Sequence, residues 1–184
     1  MKVSVFVGMS LDGFIARPDG ALDFLDSPEP VEGDLGFSAL LASVDALVMG
    51  RATFDVLMAL GADWPYGDTR VVVLSSRELD APPALEGRVE RASLAPDPLL
   101  DRLAAQGVEH VYVDGGRTAL SFLQAGLVDE ITLTVVPVLI GAGIRLFGEL
   151  PADMRLRHAA TATFPNGFVQ TRYVVTRGGP GADA

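Results

Sequence analysis

An α/β fold with a mainly parallel central sheet, helices on both faces and antiparallel strands added at one edge is predicted by three features of the sequence. Strand and helix signals alternate through roughly the first two-thirds of the chain. The strand signals there are short continuous apolar runs, as in strands buried on both faces. The remainder carries strand signals without helices, which places added strands at a sheet edge.

The elements follow in order. "KVSVFVG" is β-rich and ends at Gly8, while "DALVMG" (45–50) and "TRVVVLSS" (69–76) are apolar runs bounded by turn residues. Between them, "DLGFSALLASV" and "RATFDVLMAL" carry helical spacing. A further helix takes Asp97 as N-cap and Pro98 as first residue, buries Leu99, Leu100, Leu103 and Ala104, and stops at Gly107. "EHVYVDGG" is the next strand and "RTALSFLQAG" the next helix, stopped by Gly126. Then come the long β-run "DEITLTVVPVLIG", the alternating "RLRHAATATF", and "PNGFVQTRYVVTR", a turn leading into a last strand. Residues 1–177 read as a single domain, and "GGPGADA" (178–184) as a small-residue tail expected to be disordered.

Composition narrows the chemistry. With 184 residues the chain is long enough for a sizeable core, and 49% hydrophobic against 21% charged residues is a globular balance. A net charge of -10 argues against a nucleic-acid surface. The absence of cysteine removes thiolate nucleophiles and most zinc sites, and His110 and His158 have no metal-ligand spacing, so no metal is expected. Neither histidine is given a catalytic role, and "DWPYG" (63–67) reads as a turn packed by Trp64 and Tyr66. No membrane span or leader is read, and the cytoplasm is the expected location.

Three strand ends share one decoration: "MGRATF" (49–54), "LSSR" (74–77) and "DGGRTA" (114–119). In an open α/β sheet these ends face one crevice, where unpaired helix N–H groups meet a ligand and glycine lets a phosphate come close. Gly50 and the pair Gly115–Gly116 precede helices; Arg51, Arg77 and Arg117 add cationic forks; Thr53, Ser75, Ser76 and Thr118 add hydroxyls. Each junction alone is usually just a plain turn, and neither GxGxxG nor GxxxxGK[ST] is present. Two carboxylate segments complete the inventory. "GMSLDGFIA" (8–16) reads as a loop with Leu11, Phe14 and Ile15 inward, or as a substrate-facing loop. Asp34 reads as an N-cap, or as an acid at the pocket edge that binds a heterocycle or assists protonation.

Together "SLDGFIA", "VDALVMGRATFDVL", "VVVLSS" and "VDGGRTALSFLQAGLVDEITLTVVPVLIGAGIRLF" resemble the dihydrofolate reductase-like superfamily, particularly its branch related to the reductase domain of bifunctional riboflavin-biosynthesis proteins. The resemblance runs from about Lys2 to Phe147 and weakens towards the last strand. It implies a three-layer dihydrofolate reductase-like fold and NADPH as cofactor. By position, it implies that Gly50, Arg51, Ala52 and Thr53 hold pyrophosphate and adenosine phosphate, and that Ser75, Ser76 and Arg77 lie near the adenine ribose and its extra phosphate. Gly115, Gly116, Arg117, Thr118 and Ala119 match the turn under the pyrophosphate, and Gly8, Ile15 and Ala16 the backbone beside the nicotinamide. On the substrate side, Asp12 and Phe14 belong to the loop after the first strand, Asp34 matches the pterin-binding acid, and Thr134 a threonine that supports it.

Two departures stand out. Riboflavin-pathway reductases often carry Lys or Arg where Phe14 stands, and "EGG" where this chain has Asp114-Gly-Gly. The absence of Cys leads us to expect no fused deaminase half. The implied activity is NADPH-dependent hydride transfer to a C=N or C=O of a small heterocycle, as in dihydrofolate reductase or 5-amino-6-(5-phosphoribosylamino)uracil reductase. Protonation is expected through Asp34, with Asp114 or an ordered water as alternatives; a desolvated Asp34 would have a raised pKa. A non-catalytic NADPH-binding module of the same fold, or a structural domain with no nucleotide site, would share most of these residues. A homodimer is expected from family habit and from the apolar stretch Ile131 to Ile140.

Overall fold

A computed structural model describes residues 1–26, 33–61 and 64–177 of the chain. The expectations placed on 178–184 and on Asp63 lie outside the described residues. Five parallel strands form one side of the sheet: β1 (Lys2–Ser10), β3 (Ala46–Gly50), β4 (Arg70–Leu74), β5 (Val89–Ala92) and β6 (His110–Asp114). β7 (Glu130–Val136) lies parallel to β1 on its other side, and β10 (Val169–Val175) and β9 (Leu156–Thr163) follow antiparallel. The eight strands run in the order β5-β4-β3-β6-β1-β7-β10-β9. A separate two-stranded ribbon pairs β2 (Phe14–Ala16) with β8 (Ile144–Arg145).

Period-two alternation divides the strand side chains between two cores. Leu47, Met49, Val71, Val73 and Tyr112 face α1 (Phe37–Leu41) and α2 (Arg51–Leu60), where Phe54 is the largest fully buried side chain. Ala46, Val48, Val72, Val111 and Val113 face α3 (Pro96–Ala104) and α4 (Gly116–Gln124), centred on Phe122. Burial of each phenyl ring contributes about 1.5–3 kcal/mol. The expected layers, with helices on both faces of a mainly parallel sheet, are the ones found.

Local differences have local causes. α3 begins at Pro96 rather than Pro98, because Pro96 also needs no N–H partner there and its fixed φ suits a first helical residue. Ala104 is exposed rather than part of the buried stripe. β7 stops at Val136 because Pro137 cannot donate to a ladder. β2, β5 and β8 are short additions to the strands read from sequence. The apolar stretch on which a dimer was expected is largely consumed inside the chain: Ile131 and Val136 are buried between β1 and β10, while Leu139 stays exposed. His110 joins Ser4 Oγ and the Ser43 carbonyl, each at 2.8 Å, at the far ends of the strands. No helix among the described residues is long and apolar enough to cross a membrane.

Candidate active site

β3 and β6 are neighbours, with Met49 opposite Asp114, so the junctions that follow them stand side by side. The two junctions interlock. A Cβ added to Gly50 would lie 2.8 Å from the Thr118 hydroxyl oxygen of α4, and one added to Gly115 would collide with the Thr53 hydroxyl oxygen of α2. Gly116 is closed in the same way by Ile15, whose Cδ1 would be 2.6 Å from an added Cβ, and by the Arg145 carbonyl at 3.2 Å. Glycine is therefore required twice over, by close helix packing and by φ +85° at Gly115.

This packing brings the starts of α2 and α4 together, and neither has a side-chain cap. α3 also starts uncapped, beside a shallow depression of about 410 Å³ lined by Ser75, Ser76 and Ala95 among others. The larger depression, lined by Asp153, Met154 and Arg155 among others, lies in the β8–β9 connection rather than at these strand ends. The first-turn N–H groups at the crevice thus remain available to an acceptor brought from outside. Arg77 and Arg117 are exposed and have no carboxylate partner among the described residues. Arg51, expected as a third free cation, is engaged: Nε meets Asp55 Oδ1 at 2.6 Å and Nη1 meets the Glu78 carbonyl at 2.8 Å. It ties α2 to the loop after β4. Ser75 Oγ closes that loop by donating to the Arg77 carbonyl at 2.6 Å and accepting from the Arg77 N–H at 3.0 Å. Ala52 is exposed at the start of α2, and Ala119 is buried under α4.

The loop after β1 is a strut. Asp12 accepts from Ser10 Oγ at 2.6 Å, from Gly141 N at 2.8 Å and from Ile140 N at 3.3 Å. The Ser10 hydroxyl foremost holds its carboxyl below the ordinary value, with the two backbone donors assisting against desolvation. Asp12, expected to bind substrate, therefore fastens the loop to the β7–β8 connection. Phe14, also expected at the substrate, is buried, and the Arg145 guanidinium stacks over its ring at 4.5 Å. A cation from β8 thus stands where the sequence has no basic residue at position 14. Ile15 and Ala16 are buried in the ribbon, and Gly8 lies opposite Thr134 in register, under Leu25.

The two candidate acids separate sharply. Asp34 is exposed, and its carboxylate accepts from Gly36 N at 3.0 Å and Ser38 N at 2.6 Å, fastening the start of α1. The Ser38 hydroxyl, then these N–H groups, hold its pKa below the ordinary value. Desolvation, the condition for a raised pKa at Asp34, is not met in this structure, and hydrogen bonds to the ionised form lower the pKa instead. Thr134 does not support it: Thr134 Oγ1 accepts from Gln170 Nε2 at 2.9 Å, and the same amide donates to the Leu35 carbonyl.

Asp114 is the desolvated acid. It keeps part of its surface open at the strand end while its surroundings are packed, and burial pushes its pKa up. Tyr66 Oη donates to Oδ2 at 3.1 Å and Gly115 N donates to Oδ1 at 2.8 Å, opposing that shift only in part. Tyr112 stands beside the same carboxyl and donates to the Phe6 carbonyl at 3.0 Å. Tyr66 was read as turn packing, because nothing in "DWPYG" indicates that its hydroxyl crosses to β6. Arg145 went unread because a two-residue strand carries no periodicity.

The comparisons with known proteins agree with this architecture. The family model described as the RibD C-terminal domain matches residues 1–170. A Bacillus subtilis relative, the uncharacterized protein YwjB, is 33% identical over 177 residues, covering 94% of this chain and 97% of that protein. A Shewanella sp. PV-4 protein assigned to riboflavin biosynthesis superposes with a TM-score of 0.90 at 38% identity, covering 96% of this chain and all of that one. Acinetobacter baumannii RibD superposes with a TM-score of 0.67 at 19% identity, over 95% of this chain and 58% of that one, a likeness of fold. With a match of this extent, the chain belongs to the RibD C-terminal domain family.

Proposed function

We propose that this protein is an NADPH-dependent reductase of a small heterocyclic, pyrimidine- or pteridine-like substrate. The observation that carries the reading is the meeting of two uncapped, glycine-led helix starts beside a desolvated, partly open acid, at the ends of adjacent parallel strands. The residues fit the cofactor. Gly50, Gly115 and Gly116 let α2, α4 and the ribbon pack closely enough to bring the two helix starts together, and the first turns of α2 and α4 offer N–H groups to a pyrophosphate. Arg117 lies at the second of these starts, and Ser76 with Arg77 is suited to a 2′-phosphate.

When bound, the nicotinamide supplies the hydride. The chain supplies position and a proton. The β2–β8 ribbon, locked by Ile15 against Gly116 and by Asp12 to the next connection, walls the site and excludes water from one side. Asp114, its neutral form favoured by burial, donates a proton to the ring nitrogen or oxygen reduced in the reaction. Arg145 over Phe14 favours a substrate with an anionic substituent. β9, exposed on both faces at the sheet edge, is where a second copy would pair if the protein works as a homodimer.

The test uses Trp64, the single tryptophan. NADPH and NADH are titrated against its emission, which overlaps nicotinamide absorption, and a panel of pteridines, riboflavin intermediates and simple carbonyls follows on the same sample. Saturable NADPH binding with turnover of one heterocycle is expected. Binding without any turnover would leave a nucleotide-binding module, and no binding of either nucleotide at about 1 mM would sink the reading.

A further inference from the structure

We infer that Tyr66 is a positioning residue for Asp114, its hydroxyl fixing the carboxyl so that the acid faces the crevice from one set orientation. The geometry is a clamp. Tyr66 Oη holds Oδ2 at 3.1 Å and Gly115 N holds Oδ1 at 2.8 Å, so rotation of the carboxyl breaks one bond or the other. Each carboxyl oxygen retains acceptor or proton-bearing capacity beyond the bond it accepts.

Tyr66 is itself immobilised. It is 5% exposed, its ring lies edge-on to Trp64 at 5.1 Å and to Phe37 at 6.2 Å, and Phe37 also meets Tyr112 at 6.3 Å. These contacts come from three separate segments: the start of α1, the α2–β4 connection and β6. An aromatic residue needed only to fill this space could be Phe, which leaves the hydroxyl, directed at a carboxylate, as the feature that requires explanation.

The titratable groups facing the carboxyl are Tyr66 from the α2–β4 connection and Tyr112 from its own strand. No cation of the described residues forms an ion pair with it. Donation by Tyr66 favours the ionised carboxyl against the burial that disfavours it. The phenol also stays protonated, because burial and then the nearby Asp114 charge raise its pKa, so it remains a donor throughout the range in which Asp114 titrates.

This inference deepens the reductase reading and rests on it for its catalytic meaning, but the hydrogen bond can be tested without turnover. The carboxyl of Asp114 is followed by carbon NMR in protein labelled at aspartate, assigned by its loss in Asp114→Asn, and titrated in wild type and in Tyr66→Phe. The Phe variant is expected to titrate at higher pH, and coincident curves would overturn the proposal. In wild type, the Tyr66 Cζ resonance is expected to move with the same midpoint as the Asp114 carboxyl. A Tyr66 signal indifferent to that titration would overturn the proposal even if the Phe variant did not fold.

On a substrate established by the panel, Tyr66→Phe is expected to lower kcat about tenfold and to move the pH profile in the same direction as the NMR titration, with NADPH affinity unchanged. A loss of kcat with an unmoved profile would leave only packing and count against it. Failure to bind NADPH in wild type would remove the reductase reading while the two titrations still decided the clamp.

Discussion

Two carboxylates stand ahead of two helices in this molecule, and each is followed within two residues by a glycine in the left-handed region: Asp34 with Gly36 (φ +87°) before α1, and Asp114 with Gly115 (φ +85°) before α4. Asp34 meets water and two backbone donors, and its pKa falls. Asp114 meets two tyrosines and a packed strand end, and its pKa rises. The first is spent on building a helix start; the second is left with chemical capacity. The two places share an acid and a positive-φ glycine before a helix, and the opposite shifts come from the surroundings, backbone and hydroxyl donors at one and burial at the other. Phe37 connects them, since the helix that Asp34 fastens packs its first side chain on Tyr66.

The largest expected effect tests which acid reacts. Asp114→Asn should lower kcat by about 10²–10⁴-fold on an established substrate, with NADPH affinity retained, as for loss of a general acid. Asp34→Asn should leave kcat within a few-fold, and steady-state kinetics of the two variants side by side would reverse the comparison if the losses fell the other way.

Next in size is the cost at the two glycines. Gly115→Ala incurs about 1–3 kcal/mol for an extended backbone at positive φ, which only glycine adopts readily, and a further ~1–3 kcal/mol for overpacking against Thr53. Gly36→Ala, where an added Cβ meets nothing within 4 Å, incurs only the left-handed backbone cost of about 1–2 kcal/mol. Urea unfolding of both variants measures the difference, and equal losses would mean that the Thr53 contact yields freely. Adding Thr53→Ala to Gly115→Ala should recover the overpacking part alone.

The smallest effect is in the pH dependence of stability, where the acids have opposite signs. Asp34 is held below its ordinary value of 3.8, so its contribution is present above that value and is lost as pH falls through the lower folded one. Asp114 is raised above 3.8, so its contribution is present below that value and is lost as pH rises through the higher folded one. Asp114→Asn should therefore gain on wild type as pH climbs through that window, while the advantage of wild type over Asp34→Asn should shrink towards acid. Melting curves across the acid range check both slopes.

The parallel half of the fold was legible because Val71–Val73 and Val111–Val113 are continuous apolar runs bounded by turn residues, a pattern set by burial on both faces. β5 was not, because "VERA" mixes polar and small residues at a sheet edge, and the "RLRHAATATF" alternation does not become alternating burial because β9 is exposed on both faces. At the site, the glycine junctions were readable as local signals. The partner of Asp114 was not, since the hydrogen bond from Tyr66 joins residues 48 apart and depends on where the α2–β4 connection lands. The surroundings of Asp34 were hidden for a related reason: position in a family alignment names a residue without stating its solvent.

The interlock of Gly50 with Thr118 and of Gly115 with Thr53 has a consequence for descent. Enlarging either glycine requires the threonine of the other helix to turn aside or to be shortened, so the cost of one change depends on whether the other is already in place. Two segments more than sixty positions apart are thereby coupled, and a smaller residue at position 53 relieves only the packing part of a change at position 115, the cost of its φ of +85° remaining.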